Sequence, residues 1–386
     1  MSDHTPRQLR TIAVHAGRDT GDGLVGPIHR SSTYLLGKPE TFDDIRYTRL
    51  NNTPSQVEVE TAIGALEQGV ALVTPSGTAA VHLALNLFKP GDHLLAARRL
   101  YGGTRKLLEH HAERMGLRTT FVELDDPSSW AAAAEESTRG FLVETVANPW
   151  MSVPPLGEVV AFCKARDLTS MIDNTLASPV LYQPRAHGFD VVIHSASKHI
   201  NGHTDVVAGA LISDAERTRA LRLIANRLGI CPDPQACYLL RRGIKTLPLR
   251  VKAQCDSALQ IATWLQRHPA VEKVLYPGLE DSAYRARASA SFAGLFGTML
   301  TFVPAGGVAA AEALIERLQY ATEAPSLGGV ETLITRPATT SHGGLSAEYR
   351  SSIGIDDAMV RLSVGVEDTA DLIADLEQAL GSGVVS

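Results

Sequence analysis

The stretch FDVVIHSASK (189–198) places two serines and a lysine directly after a short apolar run. Its apolar residues follow one another without alternating with polar ones, which is typical of a strand buried on both faces of a sheet. Further runs of this kind occur at 70–74, 93–97, 119–124, 141–145, 170–175 and 206–213. Amphipathic helical patterns separate most of these runs. The sequence therefore predicts an α/β fold in which helices flank a mostly parallel sheet.

Patterns on either side of these runs predict the domain organisation. Residues 1–54 have little periodicity and are expected to form an N-terminal arm, after which a helix begins at a capping-box spacing, Ser55 and Glu58. Beyond about residue 214 helical patterns dominate, with Pro248 expected to kink a helix, and strands then mix with helices. We therefore predict a large domain over 55–248 and a smaller C-terminal α+β domain over 249–386.

The composition is that of a mildly acidic globular protein. The 386 residues include 36 Lys and Arg and 42 Asp and Glu, which gives a net charge of −6. This charge argues against a nucleic-acid partner, and no apolar run reaches the ~18–20 residues that span a bilayer. The N-terminal MSDHTPRQLR lacks the apolar segment of a secretion signal, and four cysteines are too few for a disulfide scaffold. We expect a cytoplasmic, multidomain protein without a membrane or nucleic-acid partner; enzymes are common in this class, but composition alone does not identify one.

Three segments place chemically suggestive residues at predicted strand ends, where open parallel sheets bind their ligands. Gly77 lies between a strand and a helix, where amide N–H groups bind anions, although an ordinary turn has the same pattern. Asp173 ends an apolar strand and needs either a cationic partner or a capping role. Lys198 is either an amine nucleophile activated by burial or a lysine that reaches solvent.

Taken together, these segments favour one cofactor. Pyridoxal 5'-phosphate (PLP) chemistry requires a lysine for a Schiff base, an aspartate that keeps the pyridine nitrogen protonated, an aromatic face, and donors at a helix N-terminus for the phosphate. Tyr101 follows another predicted strand and supplies the aromatic face. The sequence therefore predicts a PLP site that brings together Gly77, Tyr101, Asp173 and Lys198.

The order of short motifs along the chain resembles that of a known family. The motifs are AVHAG (13–17), YTR (47–49), SG (76–77), YGGT (101–104), Glu144, NP (148–149), DNT (173–175), HSASK (194–198), NGHTD (201–205), SLGG (326–329) and RLSVG (361–365). They are similar to those of the PLP-dependent enzymes of cysteine and methionine metabolism, which include cystathionine γ-synthases, cystathionine γ- and β-lyases and methionine γ-lyases. The resemblance implies fold type I, the fold of aspartate aminotransferase.

The resemblance also implies roles for individual residues. Lys198 would bind the cofactor and move protons between substrate carbons, Tyr101 would stack on the ring and assist acid–base steps, and Asp173 would pair with the pyridine nitrogen. The phosphate would be bound by Gly77, Thr78, Ser195 and Ser197 and, from a neighbouring subunit, by Tyr47 and Arg49. The resemblance therefore implies a homodimer or a homotetramer built as a dimer of dimers, in which the N-terminal arm contacts the neighbour.

The substrate implied by the resemblance is a small amino acid, and no metal ion is expected. Asn148 would lie beside the ring hydroxyl and, with Ser326 and Arg361, fix the substrate carboxylate, to which the fork of an arginine is well matched. An ordinary ion pair on a strand face is the alternative for Arg361.

The implied reaction is γ-elimination or γ-replacement on an amino acid with a sulfur- or oxygen-linked substituent. It would proceed through the Lys198 Schiff base, a quinonoid and removal of a proton from Cβ. A cystathionine γ-lyase-like activity is favoured over a γ-synthase-like transferase, and a C–S β-lyase ranks third. An aminotransferase and a non-catalytic PLP-binding regulator are the remaining alternatives.

Several positions depart from the family pattern. Gly103 stands where methionine γ-lyases carry cysteine, and Thr335 stands where many cystathionine γ-lyases carry glutamate. His199 follows the lysine where tyrosine or phenylalanine is usual. We hypothesise that Arg46 and Arg336 add positive charge near the distal end of the substrate, which would favour an anionic or strongly polar side chain.

Overall fold

A computed structural model describes residues 8–18, 23–40 and 44–381 and places a seven-stranded sheet in the first half of the chain. Its strands are β1 (Val70–Thr74), β2 (His93–Ala97), β3 (Arg118–Val122), β4 (Thr138–Glu144), β5 (Thr169–Asp173), β6 (Val191–His194) and β7 (Gly209–Ser213). They lie in the order β1-β7-β6-β5-β4-β2-β3. All neighbours are parallel except β7, which is antiparallel to both β1 and β6. The predicted mostly parallel sheet is thus confirmed.

Helices cover both faces of this sheet, as the apolar runs predict. The helices are α1 (Leu9–His15), α2 (Pro54–Glu67), α3 (Gly77–Leu85), α4 (Gly102–Met115), α5 (Pro127–Ala133), α6 (Leu156–Ala165), α7 (Ser178–Leu181), α8 (Ala215–Leu228), α9 (Pro234–Ile244) and α10 (Leu247–Leu265). Successive residues of a strand point to opposite faces. Val143 and Ile172 accordingly pack with α2 and α6, whereas Leu142 and Met171 pack with α3, α4 and α8.

A second sheet of five strands follows in the C-terminal part of the chain. Its strands are β8 (Val271–Leu275), β9 (Met299–Pro304), β10 (Thr322–Glu323), β11 (Leu333–Thr335) and β12 (Val360–Ser363), in the order β10-β11-β12-β9-β8. Its helices are α11 (Arg285–Ser291), α12 (Gly307–Arg317), α13 (Ala347–Ser352) and α14 (Thr369–Leu380). The sequence pattern does not predict β10 and β11, because two or three residues are too few to show a period.

Helix α10 belongs to the apolar cores of both sheets. Leu247 and Val251 pack in the core beneath the first sheet, whereas Ile261 and Leu265 pack in the core beneath the second. The predicted domain boundary at 248/249 falls in the first turn of this helix and stays a prediction. The expected kink is wrong, because Pro248 lies in the first turn, where its missing N–H breaks no helical hydrogen bond.

The start of α2 differs from the prediction by two residues. The capping box is formed by Thr53 and Gln56, with Pro54 in the first turn, and the Thr53 N–H donates to Gln56 Oε1 at 3.1 Å. The hydroxyl of Ser55 instead accepts the N–H of His29 at 3.0 Å. The predicted pair, Ser55 and Glu58, is therefore wrong because an equally spaced pair precedes it and has proline at a favoured position.

The N-terminal arm also contains structure that the sequence pattern does not predict. Helix α1 buries Ala13, and the guanidinium of Arg241 donates to the carbonyls of Ala13 and Val14 at 3.2 and 3.1 Å. Residues 1–7, 19–22 and 41–43 of the predicted arm lie outside the described residues. Across the parts of the chain that are described, no helix combines the length and the apolar character needed to cross a bilayer.

A pair of histidines between α3 and α4 predicts a pH-dependent stability. Nδ1 of His82 and Nε2 of His111 share a hydrogen bond of 2.8 Å, and His111 is buried. Burial, aided by neighbouring imidazoles, lowers the pKa of both rings. Because the folded chain then binds fewer protons than the unfolded chain, stability falls as the pH drops below about 6.5. We expect His111→Gln to weaken this fall.

The measurement is the thermal unfolding midpoint at about pH 7.5 and about pH 5.5. We expect the midpoint of His111→Gln to fall by about 2–4 °C less than that of the wild-type chain. His15 is exposed on α1, so His15→Gln is the control and should keep the wild-type pH dependence. Equal falls for the wild-type chain and His111→Gln would contradict the prediction.

Candidate active site

Four strands bring the candidate residues to one edge of the first sheet. Strands β4, β5 and β6 run parallel, and β1 runs in the same direction because β7 is antiparallel to both β1 and β6. Asp173 ends β5, Lys198 lies in the turns after β6, and Gly77 begins α3 just after β1. The structure therefore places these three residues at the carboxyl edge of the sheet, as predicted.

Lys198 is half-buried and reaches across to the C-terminal part of the chain. Its Nζ donates to Ser326 Oγ at 2.8 Å. Burial, together with the nearby charge of Arg361, lowers the pKa of the Lys198 amine. A lowered pKa increases the fraction of neutral amine at physiological pH, and the neutral amine is the form that acts as a nucleophile or a base.

Arg361 is a buried cation that lies on β12 close to this lysine. Its Nη2 donates to the Ser326 carbonyl at 2.8 Å, and only 5% of the residue is exposed. Within the described ranges its Nε has no hydrogen-bond partner and no carboxylate lies within ion-pair distance. Burial lowers the pKa of Arg361 to about 10. An unpaired buried cation is costly, so this site is suited to an anionic ligand such as a carboxylate.

Asn148 is tied to the same region through its neighbour in sequence. The hydroxyl of Thr301 donates to the Pro149 carbonyl at 2.8 Å, and Thr301 lies directly opposite Arg361 in the β9–β12 pairing. Asn148 is buried, and its Oδ1 has no partner among the residues that the structure describes. Asn148 and Arg361 therefore each offer an unsatisfied polar atom to a ligand.

Asp173 is held by a hydrogen-bonded turn. Its Oδ1 accepts the N–H of Thr175 at 3.0 Å and the hydroxyl of Thr175 at 2.5 Å. The Thr175 hydroxyl in turn accepts the N–H of Ser195 at 2.8 Å, which ties the end of β5 to the turn after β6. Burial raises the pKa of Asp173, and the bonds from Thr175 oppose this rise. Since both bonds go to Oδ1, the carboxylate keeps Oδ2 for another partner.

The start of α3 forms a turn that fits closely against Ser195. Ser76 caps the helix, and its hydroxyl accepts the N–H of Ala79 at 3.1 Å. A Cβ atom at position 77 would lie 2.8 Å from Cβ of Ser195, so glycine is required for this approach. The first turn of a helix leaves amide N–H groups unpaired, and Thr78 there is exposed. This cradle suits a phosphate.

Ser197 has a partner inside the protein. Its hydroxyl donates to the Ala208 carbonyl at 3.1 Å and accepts the Ala208 N–H at 2.9 Å. The hydroxyl therefore fixes the turn after β6 to the segment that leads into β7. Its predicted contact with a phosphate stays a prediction.

Tyr101 lies at the N-terminus of α4 with half of its surface exposed. Its N–H donates to Glu144 Oε1 at 2.6 Å. A Cβ atom at position 103 would lie 2.5 Å from Cε1 of the Tyr101 ring. Gly103, one of the expected departures from the family pattern, therefore makes room for the tyrosine ring in its observed position.

Tyr47 and Arg49 lie apart from the other candidates. Both are exposed; the Tyr47 N–H donates to Asn52 Oδ1 at 3.0 Å, and Arg49 Nη1 donates to the Asn226 carbonyl at 3.0 Å. In the described part of the chain, none of their hydrogen bonds or ring contacts reaches Lys198, Ser326 or Arg361.

Arg336, which we hypothesise to lie near the distal end of the substrate, has partners inside the protein, and its place relative to the substrate stays a prediction. Its guanidinium forms an ion pair with Glu312 and donates to the Asp357 carbonyl, so its charge is balanced within the C-terminal part of the chain. Arg46 is exposed and lies over the Tyr34 ring at 5.5 Å. Thr335 is buried opposite Arg361 in the β11–β12 pairing.

Sequence reasoning gave no role to several residues of this site. Thr175 is detectable from its spacing, because threonine two residues after aspartate often forms a hydrogen-bonded turn. Glu67 and His194 form a buried pair at 2.6 Å beneath the strand ends. Glu67 Oε1 also accepts from Asn174 at 3.0 Å. No local signal connects Glu67 with His194, since they are 127 residues apart in sequence.

The chain is similar to known proteins over nearly its whole length. The model of a family described as "Cys/Met metabolism PLP-dependent enzyme" matches residues 10–381. The chain is 39% identical over 380 residues to cystathionine beta-lyase of Lactococcus lactis subsp. cremoris (strain MG1363), covering 96% of this chain and 98% of that protein. It is also 39% identical over 379 residues to cystathionine gamma-synthase of Mycobacterium leprae, covering 96% of each. The structure of cystathionine gamma-lyase from Lactobacillus plantarum superposes with a TM-score of 0.93 at 35% identity, covering 97% of this chain and 99% of that one.

Proposed function

Because the chain belongs to the family of PLP-dependent enzymes of cysteine and methionine metabolism, we propose that it catalyses γ-elimination or γ-replacement on an amino acid whose side chain carries sulfur or oxygen. The chain is a PLP-dependent lyase or transferase of this family, and its cofactor is PLP. The family has fold type I, with which the two sheets and their flanking helices agree.

The observation that carries the proposal is the pairing of a buried, unbalanced cation with a lysine amine. Ser326 contacts both groups, since its hydroxyl accepts from Lys198 and its carbonyl accepts from Arg361. A substrate carboxylate that binds Arg361 therefore brings its Cα atom into the neighbourhood of the Lys198 amine. This is the arrangement that removal of a proton from the Cα of an amino acid requires.

The residues of the cradle and the sheet edge fit the cofactor. Gly77, Thr78, Ser195 and Ser197 would hold its phosphate, Asp173 its pyridine nitrogen, Asn148 its ring hydroxyl and Tyr101 one face of its ring. When bound, PLP supplies an electron sink that stabilises negative charge at the substrate Cα. Lys198 would hold the cofactor and then, as a free amine, would take a proton from Cα. It would have to pass that proton back to the cofactor-bound substrate, away from Cα, before it could take a second one from Cβ. Tyr101 would assist as an acid near the leaving group.

A replacement reaction and a β-elimination are the alternative functions within the family. The two relatives compared by sequence above are a β-lyase and a γ-synthase, and the chain is 39% identical to each, so overall identity favours neither. A γ-lyase and a γ-synthase share the two proton removals by Lys198 and differ in whether water or a second substrate ends the cycle.

A product assay tests the proposal. The purified protein is incubated with cystathionine, and separately with an activated homoserine plus cysteine, and 2-oxoacid, thiol and ammonia are measured. γ-Elimination of cystathionine gives cysteine, 2-oxobutanoate and ammonia, whereas β-elimination gives homocysteine, pyruvate and ammonia. A γ-synthase forms cystathionine without ammonia. An aminotransferase would form the 2-oxoacid of its substrate without releasing ammonia or thiol, and a regulator would give no product. Either of these results, or products of β-elimination alone, would overturn the proposal.

We also propose that the active unit is a homodimer or a dimer of dimers. Tyr47 and Arg49 would bind the phosphate in a neighbouring subunit, which their exposure and their separation from Lys198 within one chain support. A cytoplasmic location is proposed as well, because all four cysteines are free thiols, as is usual in a reducing compartment.

Mixing two inactive variants tests the shared site. Subunits carrying Arg49→Ala are unfolded and refolded together with subunits carrying Lys198→Ala in equal amounts. In a hybrid dimer one site receives the intact Lys198 and the intact Arg49, so we expect the mixture to recover about a quarter of wild-type activity. Each variant treated alone is the control. Activity of the mixture no higher than the sum of the controls would contradict a site shared between subunits.

A further inference from the structure

Glu144 lies beside Asp173 at the carboxyl edge of the first sheet. The proposed function assigns no role to it. It is the last residue of β4 and pairs directly with Asp173, the last residue of β5, in a parallel register. Residues in register on neighbouring parallel strands point to the same face, and the strands are about 4.8 Å apart. The two carboxyl groups therefore stand next to each other on the face that α3 and α4 cover.

Glu144 also anchors the backbone of Tyr101. Its Oε1 accepts the Tyr101 N–H at 2.6 Å, and only 5% of the residue is exposed. Tyr101 precedes the first residue of α4, so this bond fixes where the helix begins and where the ring is directed. The ring itself is half exposed and lies against Gly103. The bond to Glu144 is therefore one of the constraints on the position of Tyr101, together with this contact.

The negative charge of the two carboxyls is expected to reside on Asp173. Asp173 accepts two hydrogen bonds from Thr175 and lies near His194, and both effects favour its ionised form. Glu144 accepts one bond, from a backbone N–H. Burial and the charge of Asp173 raise the pKa of Glu144 well above its ordinary value. Two buried carboxyls this close do not both ionise, so Glu144 retains the proton.

Most other charged groups around Glu144 pair with one another. A small cleft behind it is lined by Arg98, Arg99 and Asp125. Arg98 pairs with Glu123 at 2.7 Å, and Asp125 pairs with Arg287. Arg99 has no carboxylate within ion-pair distance among the described residues and lies 5.5 Å from the centre of the Trp150 ring. Besides burial, the charge that shifts the pKa of Glu144 is that of Asp173.

We propose that Glu144 is a positioning residue that acts through Tyr101: its neutral carboxyl holds the Tyr101 backbone so that the ring covers the cofactor, and it leaves the single negative charge to Asp173. The inference rests on the proposed function, because it takes the tyrosine ring as the face that stacks on PLP. On this inference, Glu144 acts as a hydrogen-bond acceptor for the Tyr101 N–H, and a negative charge on its carboxyl is not needed for that role.

Two substitutions separate the acceptor from the charge. Glu144→Gln keeps a neutral side chain with an oxygen acceptor, and we expect its dissociation constant for PLP to stay within about twofold of wild type. Glu144→Leu has a similar size but no acceptor, and we expect its dissociation constant to rise about tenfold. Visible circular dichroism of bound PLP reports the ring environment and should change only in the leucine variant.

A double-mutant cycle with Tyr101→Ala identifies the route by which Glu144 acts. If Glu144 acts through the tyrosine ring, Glu144→Leu raises the PLP dissociation constant less than about twofold once the ring is absent. The matched control is Glu113→Leu, at an exposed glutamate on α4, which should leave PLP binding unchanged. Should Glu144→Leu fail to fold, Glu144→Asp, which withdraws the acceptor by one methylene, takes its place in the cycle.

Each outcome decides a separate question. An equal effect of Glu144→Leu with and without Tyr101 would overturn the inference, as would a glutamine variant that behaves like the leucine variant. If the wild-type chain itself does not bind PLP, the proposed function fails. If the wild-type chain binds PLP and the cycle is additive, only the inference about Glu144 fails.

Discussion

Replacing Lys198 with alanine is expected to lower kcat by about 10⁴-fold or more. The proposed chemistry uses this one amine to attach the cofactor and to move both protons, and the loss of the amine removes all of these functions together. Its contact with Ser326 is a single hydrogen bond, so the fold should persist. The measurement combines kcat on the substrate identified by the product assay with the visible spectrum after PLP is added.

A second lysine provides the control for this prediction. Lys252 is exposed on α10 and pairs with Asp256 at 2.6 Å. It has no role in the proposed site. Lys252→Ala should keep both the wild-type kcat and the wild-type spectrum. A Lys198→Ala variant whose kcat lies within about tenfold of wild type would show that Lys198 is not the amine that the reaction needs.

Replacing Arg361 with methionine is expected to lower kcat/KM by about 10²-fold or more, mainly through KM. The guanidinium is buried without a carboxylate partner among the described residues, so a substrate carboxylate would be its main partner. Methionine keeps the length and apolar character of the side chain but not the charge. Arg361→Lys should lose less, since it keeps the charge but not the two-pronged geometry.

A modified substrate tests the contact between Arg361 and the substrate α-carboxylate by changing the substrate instead of the protein. An amino acid whose α-carboxylate is converted to an amide should react poorly with both the wild-type chain and Arg361→Met, and to a similar extent. Arg166→Met, in which an exposed arginine at the end of α6 is replaced, should keep the wild-type KM. If KM for the unmodified substrate is unchanged in Arg361→Met, the carboxylate binds elsewhere.

Much of the first sheet was predictable from local pattern. Strand β2 (His93–Ala97) and strand β1 (Val70–Thr74) coincide with the predicted runs, because a strand buried on both faces must be apolar throughout. The antiparallel direction of β7 was not predictable, since an apolar run has the same composition in either direction. The short strands β10 and β11 carry too few residues for any pattern.

The place of the candidate residues at the sheet edge was predictable to a greater extent than their contacts. Lys198 and Asp173 stand out only in combination with Gly77 and Tyr101, because each of them alone has an ordinary structural explanation. The contact between Lys198 and Ser326 joins residues that are 128 positions apart, and no local rule connects them. The pairing of Arg336 with Glu312 was not predictable for the same reason, because Glu312 lies on α12, 24 positions away in the chain.

The N-terminus of α2 shows how two valid local signals compete. Ser55 with Glu58 and Thr53 with Gln56 both match the spacing of a capping box. The structure uses the second pair, for which Pro54 already has a helical φ angle. Distinguishing the pairs from sequence requires giving weight to the proline that lies between them.

The membership of α10 in two cores determines how this chain can be divided. A fragment that starts at residue 249 would retain most of the helix, yet Val251 and Cys255, which the preceding half of the protein normally covers, would face water. A fragment that stops at 248 would lack most of α10, so the apolar residues of the first half that pack against Val251 and Cys255 would face water. Producing either half as an independent piece would therefore require polar replacements at the residues that it exposes.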